Sequence, residues 1–230
     1  GGGGGGGGWA GAFCFRSAPQ TSAAKGTAAN YSWQEMMKTP AFYLIILMLG
    51  VGAFSGLMIA SNAAVIGQEM FGLTATTAAF YVSLYSLSNC LGRVIWGTVS
   101  DKIGRSNTLM IIYGVVALSL LVLTLSSAAM IFAVGIIGLG LCFGGVMGVF
   151  PSIVMENYGP ANQGVNYGIV FVGYSTAAFF GPRVAAGMAA SNNGDFTNAF
   201  YAAIALAVVG FILNIAYVQL KKSHNVSIAK

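Results

Sequence analysis

Charge is what this chain has least of. Asp, Glu, Lys and Arg make up 7% of its 230 residues, against 57% hydrophobic residues. A soluble domain usually carries about a quarter of its residues as charges. So few cannot give helices water-facing sides, so a large soluble α-domain is excluded and lipid must cover most of the surface. Histidine is nearly missing: His224, close to the C-terminus, is the only one. Histidine-dependent triads and His-containing zinc sites are therefore not expected inside the fold. The three cysteines, Cys14, Cys90 and Cys142, are scattered and odd in number, so neither a disulfide framework nor metal-ligand spacing is readable. No metal or cofactor is expected, and with no paired membrane acids or activated nucleophile, no enzyme. The net charge of +5 could point to nucleic acid, but the basic residues flank apolar runs instead of forming a patch. The bilayer is the expected partner, and nucleic acid is not.

What the chain does have is long apolar runs. A hydrocarbon core of ~30 Å needs about 20 apolar residues per helix. Six segments qualify: 41–67, 75–100, 108–125, 128–155, 163–190 and 197–220. The expectation is an all-α integral membrane protein of six transmembrane helices. Residues 1–30, opening with eight glycines, read as a flexible or artefactual Gly/Ala/Ser-rich segment. YSWQEMMKT (31–39) ahead of Pro40 mixes aromatics, methionines and charges, as a short interfacial helix does, so 31–40 is read as an interfacial helix and linker. The bundle then occupies 41–220, with 221–230 as a tail. Six spans put both termini and the loops after helices 2 and 4 on one side. That side holds Arg16, Lys25, Lys38, Lys102, Arg105, Lys221, Lys222 and Lys230, while the opposite loops hold Glu69 and Asp195. The positive-inside rule makes the basic side cytoplasmic. Helices 3 and 6 are almost unbroken Ala, Val, Ile and Leu, whereas the others carry the glycines, amides, hydroxyls and arginines. Two decorated helices followed by one apolar helix, twice over, is the pattern of two three-helix repeats.

Arg93 stands eight residues before Asp101, about 12 Å along a helix at ~1.5 Å per residue. An arginine at membrane depth is costly unless it faces a cavity or a partner. Asn89 and Tyr85 precede it at i−4 and i−8, giving a polar stripe on one helix face. All five acids fall outside the spans, so no carboxylate on a span is available to neutralise Arg93, which suits an anionic substrate. The alternative is snorkelling to headgroups. Arg183, after Gly181-Pro182, reads as an interfacial arginine, with Pro182 as a possible kink. Gly140, Gly144 and Gly148 at four-residue spacing on helix 4 let backbones approach, and Pro151 follows them. The functional alternative is that helix 4 bends there during transport. On helix 1, Asn62 is a weaker candidate for contact with substrate.

The loop between helices 2 and 3 reads Gly97-Thr-Val-Ser-Asp101-Lys-Ile-Gly104-Arg105. Gly97 permits close helix approach, Asp101 favours a helix N-terminus, Gly104 allows a tight reversal, and Arg105 can pair with Asp101 or with anionic headgroups. The run resembles the loop signature of the major facilitator superfamily. The stretches YSWQEMMKTPAFYL (31–44), LGRVIWGTVSDKIGR (91–105), FGGVMGVFPSIVMENYG (143–159) and NYGIVFVGY (166–174) resemble the C-terminal bundle of its oxalate/formate antiporter family. The resemblance covers roughly 31–220. It implies that the spans are helices 7–12 of a twelve-helix carrier, with an N-terminal six-helix bundle as a partner not present in this chain. It also implies that Arg93 binds substrate carboxylate. The family's oxalate carriers have a lysine where NYGIVFVGY places Tyr174. One fixed cation in place of two suits a monocarboxylate, such as formate, lactate or pyruvate, over a dianion, with Tyr174 donating a hydrogen bond; the alternative is that Tyr174 is a packing aromatic.

The function expected is half of a secondary transporter in the cell (plasma or inner) membrane, moving small organic anions by alternating access. Two other readings remain: a carrier of another solute (sugar, nitrate or drug), and a non-transporting sensor or subunit derived from a transporter half.

Overall fold

The computed structural model describes residues 30–125 and 127–228, excluding the side chains of 224–228. The linker expected over 1–30, with Cys14, Arg16 and Lys25, falls outside the described residues except for Asn30, and so do the His224 side chain and Lys230. The described secondary structure is helical: α1 (Trp33–Met37), α2 (Pro40–Ala60), α3 (Ala63–Glu69), α4 (Ala75–Ile103), α5 (Arg105–Leu123), α6 (Ala129–Tyr158), α7 (Gln163–Val170), α8 (Val172–Ala190) and α9 (Thr197–Ile228). Every expected span is matched by a helix or by a broken pair.

Local chemistry sets these limits. Thr39 caps α2 by accepting from the Phe42 N–H, with Pro40 in the first turn, where its missing N–H is harmless. The expected first span breaks into α2 and α3 at Ser61–Asn62. There the Ser61 hydroxyl bonds the Leu57 carbonyl and the Asn62 amide bonds the Met58 carbonyl at 2.9 Å, drawing backbone acceptors away from the helix ladder. The fifth span divides into α7 and α8 at Phe171, eleven residues before the expected kink at Pro182, which α8 carries in its interior. The last helix continues past 220 to Ile228, because no Gly or Pro follows Gly210 to stop it.

Among the described residues, five helical stretches are long and apolar enough to cross a membrane: Pro40–Ala60, Arg105–Leu123, Ala129–Tyr158, Gln163–Ala190 and Thr197–Ser223. At 29 residues, α4 is long enough at ~1.5 Å per residue. Its Thr, Ser, Asn89 and Arg93 leave it less apolar than the rest.

Packing has a twofold pattern. Helix α2 packs on α8 and α4 on α6; α2 packs on α9 and α5 on α6; α5 meets α9, and α2 meets α6. If α2/α3, α4 and α5 form one set and α6, α7/α8 and α9 the other, exchanging the sets turns each of these contacts into another in the same group or into itself. In the centre, the buried Tyr113 ring of α5 lies against Gly52 and Gly210, and its hydroxyl donates to the Met48 carbonyl at 2.9 Å.

The segment expected to lie in the membrane interface forms α1, held by a Ser32–Glu35 capping box. The Ser32 backbone N–H and hydroxyl donate to Glu35 and hold its carboxyl below the ordinary value. This segment docks on protein. The Tyr31 N–H donates to the Tyr158 carbonyl at 3.0 Å. The Tyr31 carbonyl accepts from the Asn162 and Asn166 amides at 2.9 and 3.1 Å, and Met36 is fully buried. The start of the described chain is thereby fastened to the α6–α7 junction.

Candidate functional site

The polar stripe is carried by α4, and α6 sets its position. A Cβ on Gly140 would meet the Tyr85 carbonyl oxygen at 2.7 Å; one on Gly144 would strike the Asn89 carbonyl and reach the Arg93 nitrogen at 3.0 Å; one on Gly148 would meet the Arg93 carbonyl oxygen at 2.8 Å. The three glycines thus lie, in order, against the backbones of Tyr85, Asn89 and Arg93. The constant offset shows that α4 and α6 run parallel. Gly92 returns the contact from α4, with the Leu141 backbone in the place of its absent side chain. Helices approach this closely only through small residues. The glycine stripe and the polar stripe, two separate features of the sequence, are two sides of one helix contact.

Arg93 is exposed, and its Nε donates to Asn89 Oδ1 at 3.4 Å. The side chain therefore folds back along α4, away from the Asp101 end. Among the described residues it makes no ion pair; the salt bridges present belong to Arg105. Its charge is felt at the Tyr167 hydroxyl on α7, which also feels Tyr174 on α8. Tyr174 stacks on Phe171 (centroids 4.5 Å apart) and, more loosely, on Phe143 of α6 (6.3 Å). Tyr85 is buried, and its hydroxyl has no hydrogen-bond partner among the described residues. Arg93 and Tyr85 of α4 thus share a helix with Asn89 between them, while Tyr174 of α8 stacks on Phe143 and Phe171. Arg93, Tyr174 and Tyr85 are singled out from the sequence. Tyr167 was missed, although it stands seven residues before Tyr174, two helical turns along the same face. Asn62 is engaged elsewhere: its amide donates to the Met58 carbonyl and, at 3.4 Å, to the Pro182 carbonyl, tying the α2–α3 break to α8. Arg183 is also held locally, bonding the Phe179 carbonyl and lying 4.0 Å over the Phe179 ring.

The loop motif forms a charge cluster at the other end of α4. Arg105, the first residue of α5, pairs with Asp101 and donates to Ser100, while its Nε bonds Glu156 of α6 at 3.1 Å. Glu156 was not picked out from the sequence. Two expectations need correction here. Asp101 lies in the last turn of α4 instead of at a helix N-terminus, so it acts through Arg105. Gly97 makes no close helix contact among the described residues: none of their atoms lies within 4 Å of the place its Cβ would take. Gly104, by contrast, does what was expected, taking φ +88° between the two helices. It follows that Gly97→Ala leaves the stability of this chain unchanged or raised, since alanine suits a helix interior by up to ~1 kcal/mol. Thermal unfolding in detergent measures this, and a lowered midpoint would place a neighbour at Gly97.

Comparison with known proteins gives the same direction. The sequence matches the Major Facilitator Superfamily profile over residues 4–182 and again over 69–229. It is 29% identical over 210 residues to an oxalate:formate antiporter of Oxalobacter formigenes, covering 88% of this chain and 50% of that protein. It is 30% identical over 169 residues to an uncharacterized MFS-type transporter, YhjX, of Escherichia coli, covering 71% of this chain and 42% of the relative. It is 38% identical over 104 residues to apicoplast pyruvate carrier 1 of Toxoplasma gondii, covering 43% and 18%. The chain spans about half the length of the first of these relatives, and less of the others. With these matches, the helical bundle and the loop motif between α4 and α5, the chain belongs to the major facilitator superfamily.

Proposed function

We propose that this chain is the six-span half of a secondary transporter that carries small monocarboxylates by alternating access, with Arg93 as the fixed cation of its binding site. The observation that carries the proposal is the Arg93 guanidinium, turned along α4 toward Asn89 and the tyrosines, with no carboxylate partner among the described residues. A cation at membrane depth is stabilised by an anion that comes to it. Tyr174 supplies a neutral donor where a lysine would supply a second charge, which favours a monoanion. Relatives named for oxalate:formate exchange and for pyruvate carriage support an organic anion. For α4 as the sixth span, the support is its length and the exchange symmetry of the packing, which is that of two three-helix repeats.

The second bundle, not contained in this chain, closes the site by packing along α4 and α8. Lys38, Lys102, Arg105, Lys221 and Lys222 at one end, against Glu69 and Asp195 at the other, support a cytoplasmic position for the loop motif under the positive-inside rule. There the Asp101–Arg105–Glu156 cluster braces the bundle, and Gly97 offers a bare surface for the second bundle to approach. Counterflow in proteoliposomes, with the protein in its natural full length, tests the proposal. Labelled monocarboxylate is expected to be driven in by internal monocarboxylate, and not by sugar or nitrate. Saturable uptake of a sugar in its place, or no counterflow at all, would leave another carrier or a non-transporting protein. Asp101→Asn is expected to change the maximal exchange rate while the half-saturation concentration stays within roughly twofold, because it acts on the balance of states and not on the carboxylate.

A further inference from the structure

Four buried side-chain atoms among the described residues lack a hydrogen-bond partner: the carbonyl oxygens of Gln163, Asn166 and Asn214, and the hydroxyl of Tyr85. The three amides still use their NH2 groups, on the carbonyls of Pro151, Tyr31 and Ser106. Tyr85 differs in that its only polar group is unmatched. Phenylalanine would fill the same space against Gly140, where the Tyr85 ring already lies in contact range, and would bury no polar group. A hydroxyl at this position needs a partner to offset its burial, and the described residues provide none.

The position of Tyr85 indicates what the partner is. It stands eight residues, about two helical turns, before Arg93 on α4, the end toward which Arg93 turns through its bond to Asn89, and the neutral Tyr174 of α8 stacks on Phe143 of the neighbouring α6. This stretch of α4 is therefore cationic at Arg93 and offers a neutral donor and acceptor at Tyr85. A neutral hydroxyl cannot balance a second carboxylate, but it can hydrogen-bond a keto or hydroxyl oxygen. We infer that Tyr85 is a specificity-determining residue, selecting short monocarboxylates that carry a second, uncharged oxygen (oxo- or hydroxy-acids) over bare ones. This rests on the carboxylate reading of Arg93 and extends it from charge to shape. A site that uses a buried hydroxyl for recognition rejects the analogue lacking the matching group more strongly than one that merely encloses it.

The test is competition against counterflow of labelled pyruvate in the full-length protein, with pyruvate, lactate, formate and acetate as competitors, for wild type and Tyr85→Phe. Thermal unfolding of both proteins shows that the fold is kept. Tyr85→Phe is expected to weaken pyruvate and lactate by roughly tenfold and leave formate and acetate within about twofold, so that the preference collapses. An unchanged ratio, whether all four competitors hold or all four weaken together, overturns the inference while the carboxylate reading stands. If the wild type shows no saturable carboxylate exchange, the carboxylate reading fails and the inference falls with it.

Discussion

Valine at Gly144 is expected to cost both stability and substrate affinity, and alanine to cost less of each. Gly144 has the Asn89 carbonyl in the space its side chain would take and the Arg93 nitrogen at its edge. Those atoms are backbone, so no rotamer change relieves the clash; α4 itself must move. Overpacking of this kind costs about 1–3 kcal/mol. The displaced helix is the one that carries Tyr85, Asn89 and Arg93, so the proposed site moves with it. The unfolding midpoint and the half-saturation concentration should therefore worsen together from glycine to alanine to valine. A valine protein with wild-type values of both would show that the α4–α6 contact is looser than described. For the unfolding midpoint of this chain alone, Gly97→Ala is the control, because no described atom lies within 4 Å of its added side chain.

Arg93→Lys is expected to keep the charge and still lose substrate. A guanidinium offers a carboxylate two parallel hydrogen bonds, whereas an ammonium binds as a point charge on a more flexible stem. Losing one charge-assisted hydrogen bond costs about 1.5–3 kcal/mol, or roughly tenfold to a hundredfold in affinity. The Nε bond to Asn89, which turns the head along α4, goes as well. The readout is the half-saturation concentration for monocarboxylate counterflow. A value unchanged from wild type would mean that Arg93 does not contact the anion.

Much of this was legible in sequence because a bilayer imposes a simple rule: about 20 apolar residues make a span. The long apolar helices and the Gly104 reversal follow from local pattern. The break at Ser61–Asn62 was not anticipated, since a serine and an asparagine in an apolar run look like decoration until their side chains take backbone carbonyls. Glu156 was passed over because its partner, Arg105, is distant in sequence. The glycines at 140, 144 and 148 were visible as a stripe, but the offset that seats each against a residue of the polar stripe is a relation between two helices, and no single segment encodes it. Gly97 shows the opposite failure: a glycine in a recognised motif faces space that this chain leaves open.

The central claim is that one fixed cation, with neutral donors around it, sets the charge of the cargo. Counterflow rates of labelled lactate and labelled oxalate, taken side by side on the full-length protein in the same proteoliposomes, test it most directly. The account predicts that lactate exchanges at least roughly tenfold faster than oxalate, since the second carboxylate of a dianion finds no partner. Equal rates, or a preference for oxalate, would contradict it.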